Sequence, residues 1–159
     1  MYEAYSSTFD LLKEAKKTKN ACTVSYDKHS GQPHQFTYSF GNEYQQLIEK
    51  ISANMVVEEN KKSFLASVMY KLKANEELIF IISHSSERLW YFFENNFEEA
   101  KRGRAGTKPY EYLKAISIYL HHLFSKHGNA KENDEYVATT TIYSVLKTIR
   151  FIKGLDDAK

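Results

Sequence analysis

The stretch Gln35-Phe36-Thr37-Tyr38-Ser39-Phe40-Gly41-Asn42-Glu43-Tyr44-Gln45-Gln46-Leu47-Ile48-Glu49-Lys50-Ile51-Ser52-Ala53-Asn54-Met55 changes its hydrophobic period part-way along. Phe36, Tyr38 and Phe40 alternate with Thr37 and Ser39, as expected for a strand whose successive side chains point to opposite faces. From Asn42 onward the period changes: Tyr44, Leu47, Ile48, Ile51 and Met55 line up on one side of a helix. The chain therefore leaves a short β unit here and enters helical sequence.

Upstream, Ala21-Cys22-Thr23-Val24-Ser25-Tyr26 is a second β-rich run. It is separated from the Gln35–Phe40 run by the turn formers His29-Ser30-Gly31-Gln32-Pro33, which predicts a hairpin over about residues 21–40. Tyr2, Tyr5, Phe9 and Leu12 fall at helical spacing, with Lys13, Lys16 and Lys17 near the negative end of the dipole, predicting a helix over residues 2–18 with that stripe inward.

Downstream the pattern stays helical. Lys61, Leu65, Val68 and Leu72, widened by Phe64 and Met69, predict one more helix. The run Leu78-Ile79-Phe80-Ile81-Ile82 suits a buried strand or a buried helix, and the acidic start Glu76-Glu77 favours helix. Ser85 or Ser86 caps a helix with Leu89, Phe92, Phe93, Asn96, Phe97 and Ala100 on one face, expected to stop near Gly103. Thr107 before Pro109 opens a helix carrying Tyr112, Leu113, Ile116, Tyr119, Leu120, Leu123 and Phe124, expected to end near Gly128. After the polar stretch Asn129 to Asn133, the series Ala138, Ile142, Val145, Ile149 and Ile152 is a heptad-like stripe ending before Gly154. No repeat argues for a solenoid. The expected fold is mainly α: a single domain over residues 1–159, a bundle of five to seven helices with a small N-terminal hairpin.

Composition narrows the function classes. The 159 residues carry a net charge of +2 with 42% hydrophobic residues, the balance of a globular domain able to close its own core. Ala115 to Ser125, an uncharged run unsurpassed in the C-terminal half, is too short for the ~20 apolar residues of a membrane span, and no basic-then-apolar leader precedes Asp10. With the lone Cys22 unable to form a disulfide within the chain, the expectation is a cytoplasmic protein without membrane contact. Aromatic residues make up 14% of the chain, and their spacing assigns most of them to the core, with Tyr91 and Tyr110 outside the stripes.

Motifs for catalysis are sparse. His121 and His122 are neighbours pointing about 100° apart on a helix, and His127 falls on neither direction, so no metal ligand set is expected and no cofactor either. His84 and Arg88 share a helical face, a pairing that suits phosphodiester chemistry or a plain surface pair beside Glu87. No arginine precedes a histidine at one-turn spacing, the order used by HEPN-class helical nucleases. Cys22 has no histidine nearby in sequence to activate it, and no nucleophile elbow or phosphate-binding glycine loop occurs. No catalytic residue is assigned.

The strongest functional signal is charge. Lys101, Arg102, Arg104 and Lys108 fall within eight residues interrupted by Gly103 and Gly106, a loop that can neutralise a nucleic-acid backbone. Lys147, Arg150 and Lys153 recur on what periodicity makes the polar side of the last helix, a second basic stripe. The segment Leu89-Trp90-Tyr91-Phe92-Phe93-Glu94-Asn95-Asn96-Phe97-Glu98, continued by Lys101, Arg104, Gly106 and Thr107, resembles part of the RteC-type regulators of conjugative transposons. The resemblance, over about residues 89–107, implies a helical DNA-binding regulator of excision or transfer genes of a mobile element, and no catalytic residue.

The sequence thus leads to a non-enzymatic helical regulatory protein binding nucleic acid or a protein partner through Lys101–Lys108 and the Lys147/Arg150/Lys153 face. An alternative is a protein-interaction module without nucleic-acid binding, a homodimer through the Ala138/Ile142/Val145/Ile149/Ile152 stripe or an adaptor for another partner. A third is a small helical ribonuclease or hydrolase using His84, His121 or His127.

Overall fold

The computed structural model describes residues 2–17, 21–27, 33–39, 43–55, 62–127 and 134–153. Among them are seven α-helices and one two-stranded antiparallel sheet, in agreement with the mainly helical expectation. In chain order they are α1 (Tyr2–Lys17), β1 (Ala21–Asp27), β2 (Pro33–Ser39), α2 (Glu43–Asn54), α3 (Lys62–Ala74), α4 (Glu76–Ile82), α5 (Ser86–Asn96), α6 (Lys108–His127) and α7 (Asp134–Ile152). Two single-turn 3₁₀ segments, Glu98–Ala100 and Arg102–Arg104, connect α5 to α6.

The hairpin pairs Ala21 with Ser39 and Asp27 with Pro33, and a hydroxyl contact of 2.8 Å links Thr23 to Thr37 across it. Pro33 opens β2 instead of closing the turn, a position where a missing N–H costs little. Most of the expected turn, residues 28–32, lies outside the described residues, as do Lys61, Gly128, 129–133 and Gly154. Val24 and Phe36, register partners, face the core, and β2 leans on α7.

Helix α6 is the hub. Tyr112, Leu113, Ile116, Tyr119, Leu120, Leu123 and Phe124 are all buried, which the periodicity of that segment predicts. Around it pack Leu47, Ile51 and Met55 at α2, Leu89, Phe92 and Phe93 of α5, and Ile142, Val145 and Ile149 of α7. Leu65, Val68, Met69 and Leu72 of α3 complete the cluster with Ile79 of α4. Each such side chain stabilises the fold by roughly 1.5–3 kcal/mol through water released from apolar surface. The ambiguous apolar run at 78–82 is helical: Asn75 precedes it, Glu76 and Glu77 fill its first turn, and only Ile79 is fully buried.

Three expectations are corrected. Helix α1 touches mainly β1, and Phe9 and Leu12 are exposed while Leu11 and Ala15 are half-buried, so this part of the expected stripe does not face inward; the Tyr2 and Tyr5 side chains lie outside the described set. Helix α5 ends at Asn96, seven residues before Gly103. Asn95 and Asn96 donate side-chain hydrogen bonds of 2.9 Å to the Tyr91 and Phe92 carbonyls, and Phe97 turns to extended geometry, burying its ring. Lys71 of α3 secures this break by donating to the Asn96 carbonyl and resting 4.7 Å above the Phe97 ring. Third, Ile142, Val145 and Ile149 are buried inside this chain, so the α7 stripe is core and not a dimer seam; Ile152 alone is exposed, and the Ala138 side chain lies outside the described set.

Candidate nucleic-acid interface

The early stop of α5 creates the loop that carries the basic residues. Chained local hydrogen bonds set its course: Arg104 N–H to the Lys101 carbonyl at 2.8 Å, Ala105 N–H to Arg102 at 3.1 Å, and Thr107 N–H to Arg104 at 3.1 Å. The Thr107 hydroxyl donates to the same Arg104 carbonyl at 2.8 Å, and the Thr107 carbonyl then accepts the Glu111 N–H of α6 at 3.0 Å. Gly106 sits at φ +82°, a left-handed conformation that a Cβ disfavours. The loop is a bonded turn sequence at the mouth of α6.

Lys101, Arg102, Arg104 and Lys108 are all exposed on it. Lys101 meets Glu98 at 2.5 Å, while Arg102, Arg104 and Lys108 make no ion pair among the described residues. Three guanidinium or ammonium groups therefore face solvent within seven residues of chain, with their positive potential uncancelled by a paired carboxylate among the described residues.

The second stripe does not form as the periodicity predicts. Arg150 is only 9% exposed, with Nη1 3.3 Å from the Sδ of Met69. It also lies near enough to the buried Tyr112 phenol to counter part of the upward pKa shift that burial imposes there. The reason is that α7 is enclosed by β2, α3, α4 and α6, so Ser144, Leu146 and Thr148 are buried along with Ile142, Val145 and Ile149. Lys147 is half-buried, its ammonium 5.8 Å from the Tyr143 ring centroid, with Lys73 of α3 at 5.7 Å from the same ring. Lys153 is half-buried just past α7. Lys147 belongs to the α3 side.

The histidines gather about the α4–α5 corner. His121 Nδ1 is 2.7 Å from the Ser83 carbonyl, His122 packs edge-on to His121 at 6.2 Å, and His84 lies edge-on to Phe80 at 5.9 Å. The His127 side chain lies outside the described set. Among the described residues no group of three or more His, Cys, Asp or Glu is placed to hold a metal ion, and no helix is long and apolar enough to cross a membrane.

Two features are invisible to the sequence reading. A groove of about 650 Å³ opens between α3 and the basic loop, bounded by Ser63, Phe64 and Ser67 on one side and Glu99, Arg104 and Thr107 on the other. A shallower apolar groove of about 630 Å³ lies between α4 and α5, lined by Leu78, Ile82, Tyr91 and Phe92. Tyr91, expected outside the core stripe, is 66% exposed there, whereas Tyr110 is half-buried against Trp90 at 5.3 Å. Both grooves join segments distant in sequence or separated by a corner, so no local motif announces them.

No family model, curated protein or solved structure matches this chain.

Proposed function

We propose that this protein is a non-enzymatic, cytoplasmic regulatory protein that binds nucleic acid through the Lys101–Lys108 loop. The observation that carries the reading is the exposure of four cations on one short hydrogen-bonded loop, three of them without a carboxylate partner among the described residues. Arg150 is buried and Lys147 lies beside Lys73 of α3, so neither belongs to the contact. Each phosphate neutralised releases condensed counterions, so affinity falls with salt, by about one unit of log–log slope per contact. Binding of labelled DNA and RNA measured across a salt series tests this. Arg102→Ala combined with Arg104→Ala should flatten the slope by about two, and equal slopes for parent and variant would refute the assignment.

A second reading has its own observation. Ile81 at 68% and Tyr91 at 66% exposure, with Leu78, leave apolar surface beside the α4–α5 groove, and exposed apolar patches mark protein contacts. On this reading Ile81→Lys abolishes self-association or partner capture while nucleic-acid binding persists. Unchanged light scattering and partner capture would remove it.

A further inference from the structure

The groove between α3 and the loop is built for more than a backbone contact. Its volume of about 650 Å³ falls within the ~300–1,000 Å³ of small-ligand clefts. Phe64 is half-buried at its wall, in T-shaped contact with Phe97, which also lines the groove, at 6.4 Å and with Tyr112 at 6.2 Å. Phe97 is itself pinned beneath the Lys71 ammonium. The aromatic wall of the groove is thus held in place before anything binds. Ser63 and Ser67, one turn apart on α3, add hydroxyls that donate or accept.

The charges are sorted around this ring. Glu99, half-buried and without an ion pair among the described residues, borders the groove, and Glu98 beside it is engaged by Lys101. Carboxylates repel phosphate and accept hydrogen bonds from ring and amino N–H groups, which suits a base edge and not a backbone. Two cations line the groove: Lys71, whose ammonium is committed to the Asn96 carbonyl and the Phe97 ring, and the exposed Arg104; Arg102 and Lys108 are exposed on either side of Arg104 in the chain. An aromatic wall beside hydrogen-bond acceptors, with its inner cation already engaged and further cations exposed on the adjoining segment, matches a base with its phosphate left outside.

We infer that the groove takes one unstacked base of a single-stranded nucleic acid against Phe64, while Arg102, Arg104 and Lys108 hold the flanking phosphates; the inference rests on the loop being a nucleic-acid contact. A duplex keeps its bases stacked and paired, so it reaches the loop but cannot fill the groove. A free nucleotide offers the same base and phosphate with fewer phosphates for the loop, and therefore binds more weakly than a strand.

The test is fluorescence anisotropy on the intact protein with a short labelled single strand, the duplex of the same sequence, and the mononucleotide as competitor. Losing one aromatic stacking contact lowers affinity about tenfold. The parent should prefer the single strand over the duplex by about that factor. Phe64→Leu and Ser67→Gln, the second filling the groove from a half-buried position one turn from Phe64, should each erase the preference and leave duplex binding unchanged. Circular dichroism establishes that both variants are folded. Equal binding of single strand and duplex by the parent overturns the inference and leaves the loop reading standing. So does retention of the preference by Ser67→Gln, or a mononucleotide as tight as the strand. Failure of the parent to bind either nucleic acid overturns both.

Discussion

The Nη1 of Arg150 lies 3.3 Å from the Sδ of Met69, inside the packed region that also holds the Tyr112 phenol. An arginine at a position that helical periodicity assigns to solvent is thereby part of the core. Its long aliphatic stem supplies packing as well as charge. Arg150→Ala should lower stability by roughly 2–5 kcal/mol in urea titration, the range for truncating a large buried side chain. Arg150→Met, close in volume and matched to a sulfur neighbour, should lose less. Neither variant should alter the salt slope of nucleic-acid binding.

Tyr112 has its pKa raised above the ordinary phenol value, first by burial and against a smaller opposing effect of Arg150. The folded state thus holds the phenol proton more tightly than the unfolded state. Its contribution to stability is complete below about pH 10 and is lost progressively as pH rises from there towards the folded-state value. Its hydroxyl has no hydrogen-bond partner among the described residues. Tyr112→Phe should therefore be near neutral at pH 7 and should reduce the fall in urea midpoint above about pH 10. An unchanged alkaline profile would assign that fall to other groups.

Ile149 and Ile152 separate core from surface within one turn of α7. Ile149 is buried and Ile152 is 74% exposed. Ile149→Glu should unfold the protein, with loss of more than about 4 kcal/mol and of the helical circular dichroism signal, because a charge enters a packed apolar site. Ile152→Glu should stay within about 0.5 kcal/mol of the parent. Dissociation of a folded dimer by Ile149→Glu would contradict the placement of this stripe in the core.

The two loop glycines should respond oppositely. A Cβ at either would meet nothing within 4 Å, so backbone conformation decides. Gly106 is left-handed and Gly106→Ala should cost about 1 kcal/mol in thermal or chemical denaturation. Gly103 is not left-handed, and Gly103→Ala should stabilise by roughly 0.4–1 kcal/mol by restricting the unfolded chain.

Periodicity made α6 legible almost residue by residue, because every third or fourth side chain of a hub helix returns to the same face and meets the core. It also separated the hairpin from α2 at the change of period near Asn42, and the acidic pair Glu76-Glu77 resolved the apolar run that follows. Helix ends were harder. The stop at Asn96 depends on Asn side chains capturing carbonyls and on Lys71 reaching from another helix, and the latter contact has no local signature.

The sequence by itself determined the helical class, the hairpin, the residues of the central core and the exposed cation loop, since each follows from local period, turn chemistry or charge density. Only the tertiary structure decided that α7 is enclosed on several sides, taking Arg150 into the core and the heptad stripe out of any dimer seam. It also decided that Phe64, Glu99 and Arg104 border a single groove. Burial and convergence are properties of how helices surround one another, and a helical wheel carries one helix only.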